Sequence, residues 1–401
     1  MKSQDSRSAR PADASAAAVS PYIPALDGLR ALAILLVIPH NLDMLSAPYN
    51  VLEILPVTVM HAGWIGVQLF FVLSGFLITG NLLDTRGAGN YYSAFIGRRA
   101  LRILPLYYGM LLVTFVLVPL WATLPQQLRD TGHNQVWLWT FLLNWSAPYG
   151  RTVAGFGHFW SLAVEEQFYL LWPFVIACCS PRKALWAGVG VACAALLCRW
   201  GLTAAHFPQD ALYMFTVSRM DALALGAAAA AALRIPTLRA TIERHAYRIA
   251  VAAAAILLVD FFLTRGYAAY DVRSQSYGYT VLAAGFALCM LVTAVPVAGV
   301  PALIVHALQW RPLKMVGRYS YAMYVFHMPL HVFFGVALLH AIVGAHPSHA
   351  AAFIYITSSI VASFALAALS YHLFERHFLR LKERLMPRGG KQLAATVGEH
   401  P

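Results

Sequence analysis

Apolar runs long enough to cross the roughly 30 Å hydrocarbon core of a bilayer recur along almost the whole chain, and no other feature restricts the fold so strongly. Ten such runs are counted, at about 27–46, 64–83, 101–121, 160–179, 184–203, 219–234, 247–264, 278–298, 319–341 and 351–374. Of 401 residues, 60% are hydrophobic and 11% charged, whereas soluble domains carry roughly 25% charge. So little polar material cannot cover a water-facing surface, which excludes a peripheral or secreted enzyme. The expected fold is all-α, a polytopic bundle of about ten transmembrane helices. The run at 219–234 is short, and its DALALGAAAAAAL core favours close helix packing over lipid contact.

The net charge of +12 raises the question of a nucleic-acid partner, which the placement of the 29 Lys and Arg answers. With ten spans, 23 of the 29 fall on the side that holds both termini. Arg129, Arg151, Arg199, Arg219, Arg265 and Arg273 fall on the other. Such a bias marks the cytosolic face, so both termini are expected in the cytosol and no nucleic acid is expected as partner. Residues 1–21 read as a disordered cytosolic tail with no signal peptide, 22–385 as the transmembrane domain and 386–401 as a basic cytosolic tail. The five Cys have neither metal-ligand spacing nor a disulfide framework, so no metal is expected. The connection at 122–159 lies outside. Its VWLWTFLLNW stretch is too short to span and too apolar to be exposed, so an interfacial or re-entrant helix is expected there.

Ionisable groups inside spans mark cavities or buried pairs. His40 lies ten residues beyond Arg30, about 15 Å up the first helix, and Pro39 kinks the backbone beside it. It reads as a binding point or as a packed imidazole bonded to a carbonyl. His158 stands at the outer mouth of the fourth helix, with Glu165 and Glu166 one to two turns inside. Asn144, Arg219 and Asp221 fall at outer ends by the same count. Such a set can remove a proton from a hydroxyl and stabilise an oxyanion, which is acyl-transfer chemistry; a buried ion-pair network is the plainer account. There is no G-x-S-x-G elbow, so direct transfer is favoured over an acyl-enzyme. The same groups also suit proton relay in a transporter or flippase for an envelope glycan or lipid-linked sugar.

On the inner side, Arg98, Arg99 and Arg102 suit the phosphates of a nucleotide or coenzyme, and equally suit anchoring to anionic lipid. His327 falls near mid-membrane on a helix face with Tyr324, which either lines a channel for a long thioester arm or packs as ordinary aromatic core. His372 and Glu375, near the cytosolic end of the last span, read as structural or interfacial.

Seven segments in register resemble the acyltransferase 3 family of integral-membrane enzymes over roughly 22–385: PALDGLRALAILLVIPH, GWIGVQLFFVLSGFLI, FIGRRALRILPLYY, HFWSLAVEEQFYLLWP, SRMDALALG, VGRYSYAMYVFHMPL and SYHLFERHFLRLKER. The resemblance implies a ten-helix bundle in the bacterial inner membrane that moves an acyl group, commonly acetyl from cytosolic acyl-CoA, to a hydroxyl of a carbohydrate or glycolipid. It also implies separate envelope-glycan biosynthesis proteins and membrane lipids as partners. It maps the essential helix 1 His onto His40, with Glu165 and Glu166 as the other catalytic residues. The donor-binding set becomes Arg30, Arg98, Arg99, Arg102 and His327. Asn41, Asn144, His158, Trp160, Arg219 and Asp221 become candidate acceptor-binding residues. In one respect the chain departs from the pattern. Nine residues separate Arg30 from His40 where the family usually has ten, so strict counting puts Asn41 in the place of the His.

Overall fold

The computed structural model describes residues 22–43, 51–335 and 349–385, and every regular element among them is helical. Both expected tails, and the ends of the runs at 27–46 and 319–341, lie outside the described residues. Twelve helices organise the bundle: α1 (Pro24–Leu42), α2 (Val51–His61), α3 (Ile65–Asp84), α4 (Tyr91–Leu112), α5 (Trp160–Ala177), α6 (Pro181–Ala204), α7 (Thr216–Ala232), α8 (Ala246–Leu263), α9 (Tyr279–Thr293), α10 (Arg311–Leu330), α11 (His349–Ser370) and α12 (Arg376–Leu385).

Among the described residues, seven helices are long and apolar enough to cross a membrane. The number is eight if Gln209–Ala232 and Pro236–Arg244, bent by 96°, form one span. The helices α5 and α10, expected as spans, are not among them, because Glu165 and Glu166, and Arg311, Lys314 and Arg318, lower their mean hydropathy. The bundle exposes large apolar side chains and buries charged ones within an otherwise apolar core. On α5, Leu171 and Phe174 are 67% and 60% exposed, while Arg199, Arg219 and Asp221 are completely buried on neighbouring helices. This inversion of a soluble protein's pattern is what a lipid solvent requires.

Small residues let the central helices approach. The helix α7 packs against α3, α6 and α9; α1 packs against α3 and α10. Where α3 crosses α7, a side chain at Gly75 would collide with the Leu223 carbonyl oxygen, and one at Gly226 with that of Val72. Gly75→Val should therefore force the two backbones apart, costing about 1–3 kcal/mol or more. A thermal melt of the detergent-solubilised protein should show a clearly lowered Tm, and an unchanged Tm would mean the crossing is looser than described.

The connection at 122–159 is not the single helix expected of its aromatic stretch. Val136–Trp139 and Leu143–Ser146 are separate turns, broken at Phe141, which has φ 54°. Side chains from the bundle take up the freed carbonyls: Tyr107 donates to Leu138 O at 2.8 Å, Tyr108 to Trp139 O at 3.1 Å and Gln167 to Phe141 O at 2.8 Å. A broken backbone is tolerated at such a place only where protein satisfies it.

Candidate active site

The helix α4 begins at Tyr91, ten residues before the expected start of its run, so Arg99 is already eight residues, about 12 Å, inside it. That shift joins two groups expected on opposite sides of the membrane. Arg30 of α1, Arg99 and Arg102 of α4, and Glu165 of α5 line one cavity of about 90 Å³ with Ser74, Tyr169, Ser161 and Tyr324. Glu165 accepts hydrogen bonds from Ser74 Oγ at 2.7 Å and Tyr169 OH at 2.9 Å. Arg30 is held by Asp27 at 2.8 Å, and Arg99 lies over the Tyr169 ring at 5.2 Å. Arg99 and Arg102 make no ion pair or hydrogen bond among the described residues, so their donor sets face the cavity open. An anion is what such donors accept. Arg98 and Glu166 do not line this cavity; Glu166 lies near Tyr321, Tyr107 and Tyr108.

His40 is not among the residues that line this cavity. Helix α1 approaches the turn Ala62–Trp64 so closely that a side chain at Gly63 would strike Leu36 O, and His40 is packed there with Nδ1 donating to Met60 O at 3.2 Å. The next residue, about 100° round the helix, faces inward: Asn41 Nδ2 is 2.9 Å from His327 Nε2. His327 in turn lies beside His158, with ring centroids 4.5 Å apart. This imidazole pair touches the cavity through Tyr324 and Ser161, whose hydroxyls are 2.6 Å apart.

The other candidates fall into three separate groups. Asn144 belongs to an amide knot: Gln167 Nε2 donates to its Oδ1 at 2.9 Å, and its own Nδ2 donates to Thr216 at 2.9 Å. Asp221 pairs at 2.9 Å with Arg199, which the charge count places on the outer side. Arg219 donates to Gln68 Oε1 at 2.5 Å and sits among the rings of Trp64, Phe71, Trp160, Tyr213 and Tyr279 at 4.4–5.9 Å. Trp160 thus walls a guanidinium and is absent from the cavity lining.

Ser74, Tyr169, Gln68, Gln167 and Arg199 escaped the sequence reading as site or network residues. Tyr169 was legible in part, since Glu165 and Tyr169 stand at i,i+4 on one helix. Gln68 and Gln167 were legible as lone amides within apolar runs; Ser74 carried no signal.

A cavity lined by three arginines and a glutamate, within a bundle of several apolar helices, marks a multi-pass membrane protein with a charged interior site. The chain matches the Acyltransferase domain family over residues 23–371 and belongs to that family of acyltransferases. It is 29% identical over 378 residues to a putative peptidoglycan O-acetyltransferase, YrhL, of Bacillus subtilis (strain 168), covering 88% of this chain and 54% of that protein. It is 27% identical to the peptidoglycan O-acetyltransferase OatA of Listeria monocytogenes, covering 77% and 49%. Against the O-acetyltransferase OatA of Staphylococcus aureus (strain MRSA252) the identity is 25%, covering 94% and 61%. The chain therefore spans about half to three-fifths of the length of these relatives. No solved structure matches it.

Proposed function

We propose that this chain moves an acetyl group from cytosolic acyl-CoA to a hydroxyl of a cell-envelope carbohydrate, from a ten-span domain over 22–385 in the bacterial inner membrane with both termini in the cytosol. The supporting observation is the cavity in which Arg99 and Arg102 present open donor sets beside Glu165. Arg30, Arg99 and Arg102 hold the donor's negative charge, and Glu165 keeps the guanidiniums apart and oriented. Peptidoglycan, named for two of the relatives, is the first acceptor to test, supplied by separate envelope-glycan proteins.

Mass spectrometry of envelope glycans from cells with and without the intact gene should show loss of an acetyl increment; unchanged glycans would reject the acceptor class. Arg99→Ala should raise the KM for acetyl-CoA by about tenfold or more with a smaller change in kcat, as expected when a charge-assisted contact of about 1.5–3 kcal/mol is lost. An unchanged donor KM would mean that the arginines serve topology alone. Counterflow of a glycan without CoA release would identify a transporter.

A further inference from the structure

We infer that His158 is the proton acceptor of the acyl transfer and that Asn41 is a positioning residue that reserves this role for it; the inference rests on the function proposed above. Both imidazoles of the pair aim a nitrogen at one atom, the Tyr324 carbonyl oxygen: His158 Nε2 at 2.9 Å and His327 Nδ1 at 2.7 Å. A carbonyl oxygen only accepts, so both of those nitrogens carry the proton, and the other nitrogen of each neutral ring is a lone pair. The lone pair of His327 is taken, because Asn41 Nδ2–H donates to Nε2 at 2.9 Å. The lone pair of His158, on Nδ1, is buried without a hydrogen-bond partner among the described residues. Only one of the two rings therefore has a free basic site.

The surroundings suit that role. Protonation at Nδ1 would turn the bond from His158 Nε2 to Tyr324 O into a charge-assisted one, the usual way of steadying a transient imidazolium. Tyr324 also donates from its hydroxyl to the His158 carbonyl oxygen at 2.7 Å, and both Tyr324 and Ser161 line the donor cavity. On the other side, a methyl group placed on Gly157 would meet no atom within 4 Å, so the chain leading into His158 borders open space through which an acceptor can approach. At the helix α1 position that strict counting gives to the family's His, Asn41 cannot act as a base. In this chain the basic group has moved from α1 to the start of α5.

The step balances as follows. The acceptor O–H bond breaks, its proton passes to His158 Nδ1, and the oxygen electron pair forms a bond to the thioester carbonyl carbon. Collapse of the tetrahedral adduct breaks the C–S bond, and the departing thiolate takes the proton from Nδ1, leaving ester, free CoA and neutral imidazole.

The test uses full-length protein in lipid vesicles with acetyl-CoA as donor and chitopentaose as acceptor probe, following CoA release and product mass. His158→Gln should lower kcat by about 10²–10⁴-fold while the donor KM holds, and the held KM shows that the variant is folded. His40→Gln should lower kcat by far less than His158→Gln does. Asn41→Ala should lower kcat by less than His158→Gln does. By ¹⁵N solid-state NMR, the wild type should show His158 protonated at Nε2 and His327 at Nδ1, with the His327 Nε2 resonance moving in Asn41→Ala. Turnover lost in His40→Gln and kept in His158→Gln, or the opposite tautomers, overturns the inference alone. A wild-type protein that never releases CoA overturns the proposed function and this inference with it.

Discussion

Vesicles carrying Glu165→Gln are expected to turn over about 10²-fold more slowly than wild type, the size of effect seen when one preorganised electrostatic group is removed from an active site. Glu165 is the sole carboxylate lining the cavity among the described residues, and it lines it together with Arg30, Arg99 and Arg102. The amide keeps the volume but removes the charge, and it sets an N–H₂ group where an oxygen now accepts from Ser74 at 2.7 Å or from Tyr169 at 2.9 Å. The guanidiniums are then left to repel one another. Because the cavity becomes more cationic, the donor KM should hold or fall while kcat drops. Arg99→Ala moves the KM in the opposite direction, so the two variants separate orientation from anion binding in a CoA-release assay. A kcat for Glu165→Gln within about twofold of wild type would remove the carboxylate from the reaction altogether.

Arg199→Met should be the most destabilising single change at the buried ion pair, at about 3–5 kcal/mol. Arg199 donates to Asp221 Oδ2 at 2.9 Å and to Gln275 O at 3.0 Å, and also to Ser218 O and Thr280 Oγ1. Both partners of the pair are fully shielded. Methionine fills most of the space but leaves the Asp221 carboxylate with Thr280 at 2.6 Å and the Ala222 N–H at 2.9 Å as its only donors among the described residues. The cost is that of an uncompensated charge, not of a lost attraction. The double variant Arg199→Met/Asp221→Leu should therefore recover much of the lost Tm. A double variant as unstable as the single one would show instead that the guanidinium's backbone contacts hold α6 to α7.

Much of the fold was legible because hydropathy acts over a whole run of residues. The apolar segments at 184–203, 247–264 and 278–298 correspond to α6, α8 and α9 within a few residues. Polar helices were harder: α5 and α10 are long enough but fall short on hydropathy, because charged and polar residues interrupt their apolar runs. The site was legible in its residue types and not in its grouping. Arg30, Arg99, Arg102 and Glu165 were all singled out, yet the arginines and the glutamate were put at opposite ends because the start of α4 was set where the apolar run begins. His40 and Asn41 show the limit most clearly. Adjacent residues on a helix differ by about 100° in facing, and composition does not say which of the two points inward. Gly63 settles that point through its contact with Leu36, one turn before His40 and on another segment.

The sequence alone determined that this is a helical membrane protein with costly polar groups in its interior, because transfer from water to hydrocarbon is a local property of each segment. It also determined the kind of chemistry available, because titratable groups keep their identity wherever they fold. Which of those groups share a cavity, which are spent on one another, and which imidazole keeps a free lone pair were decided only by the tertiary structure. Those outcomes depend on helix phase, tilt and close backbone crossings among segments far apart in the chain, and no local property of a single helix encodes them.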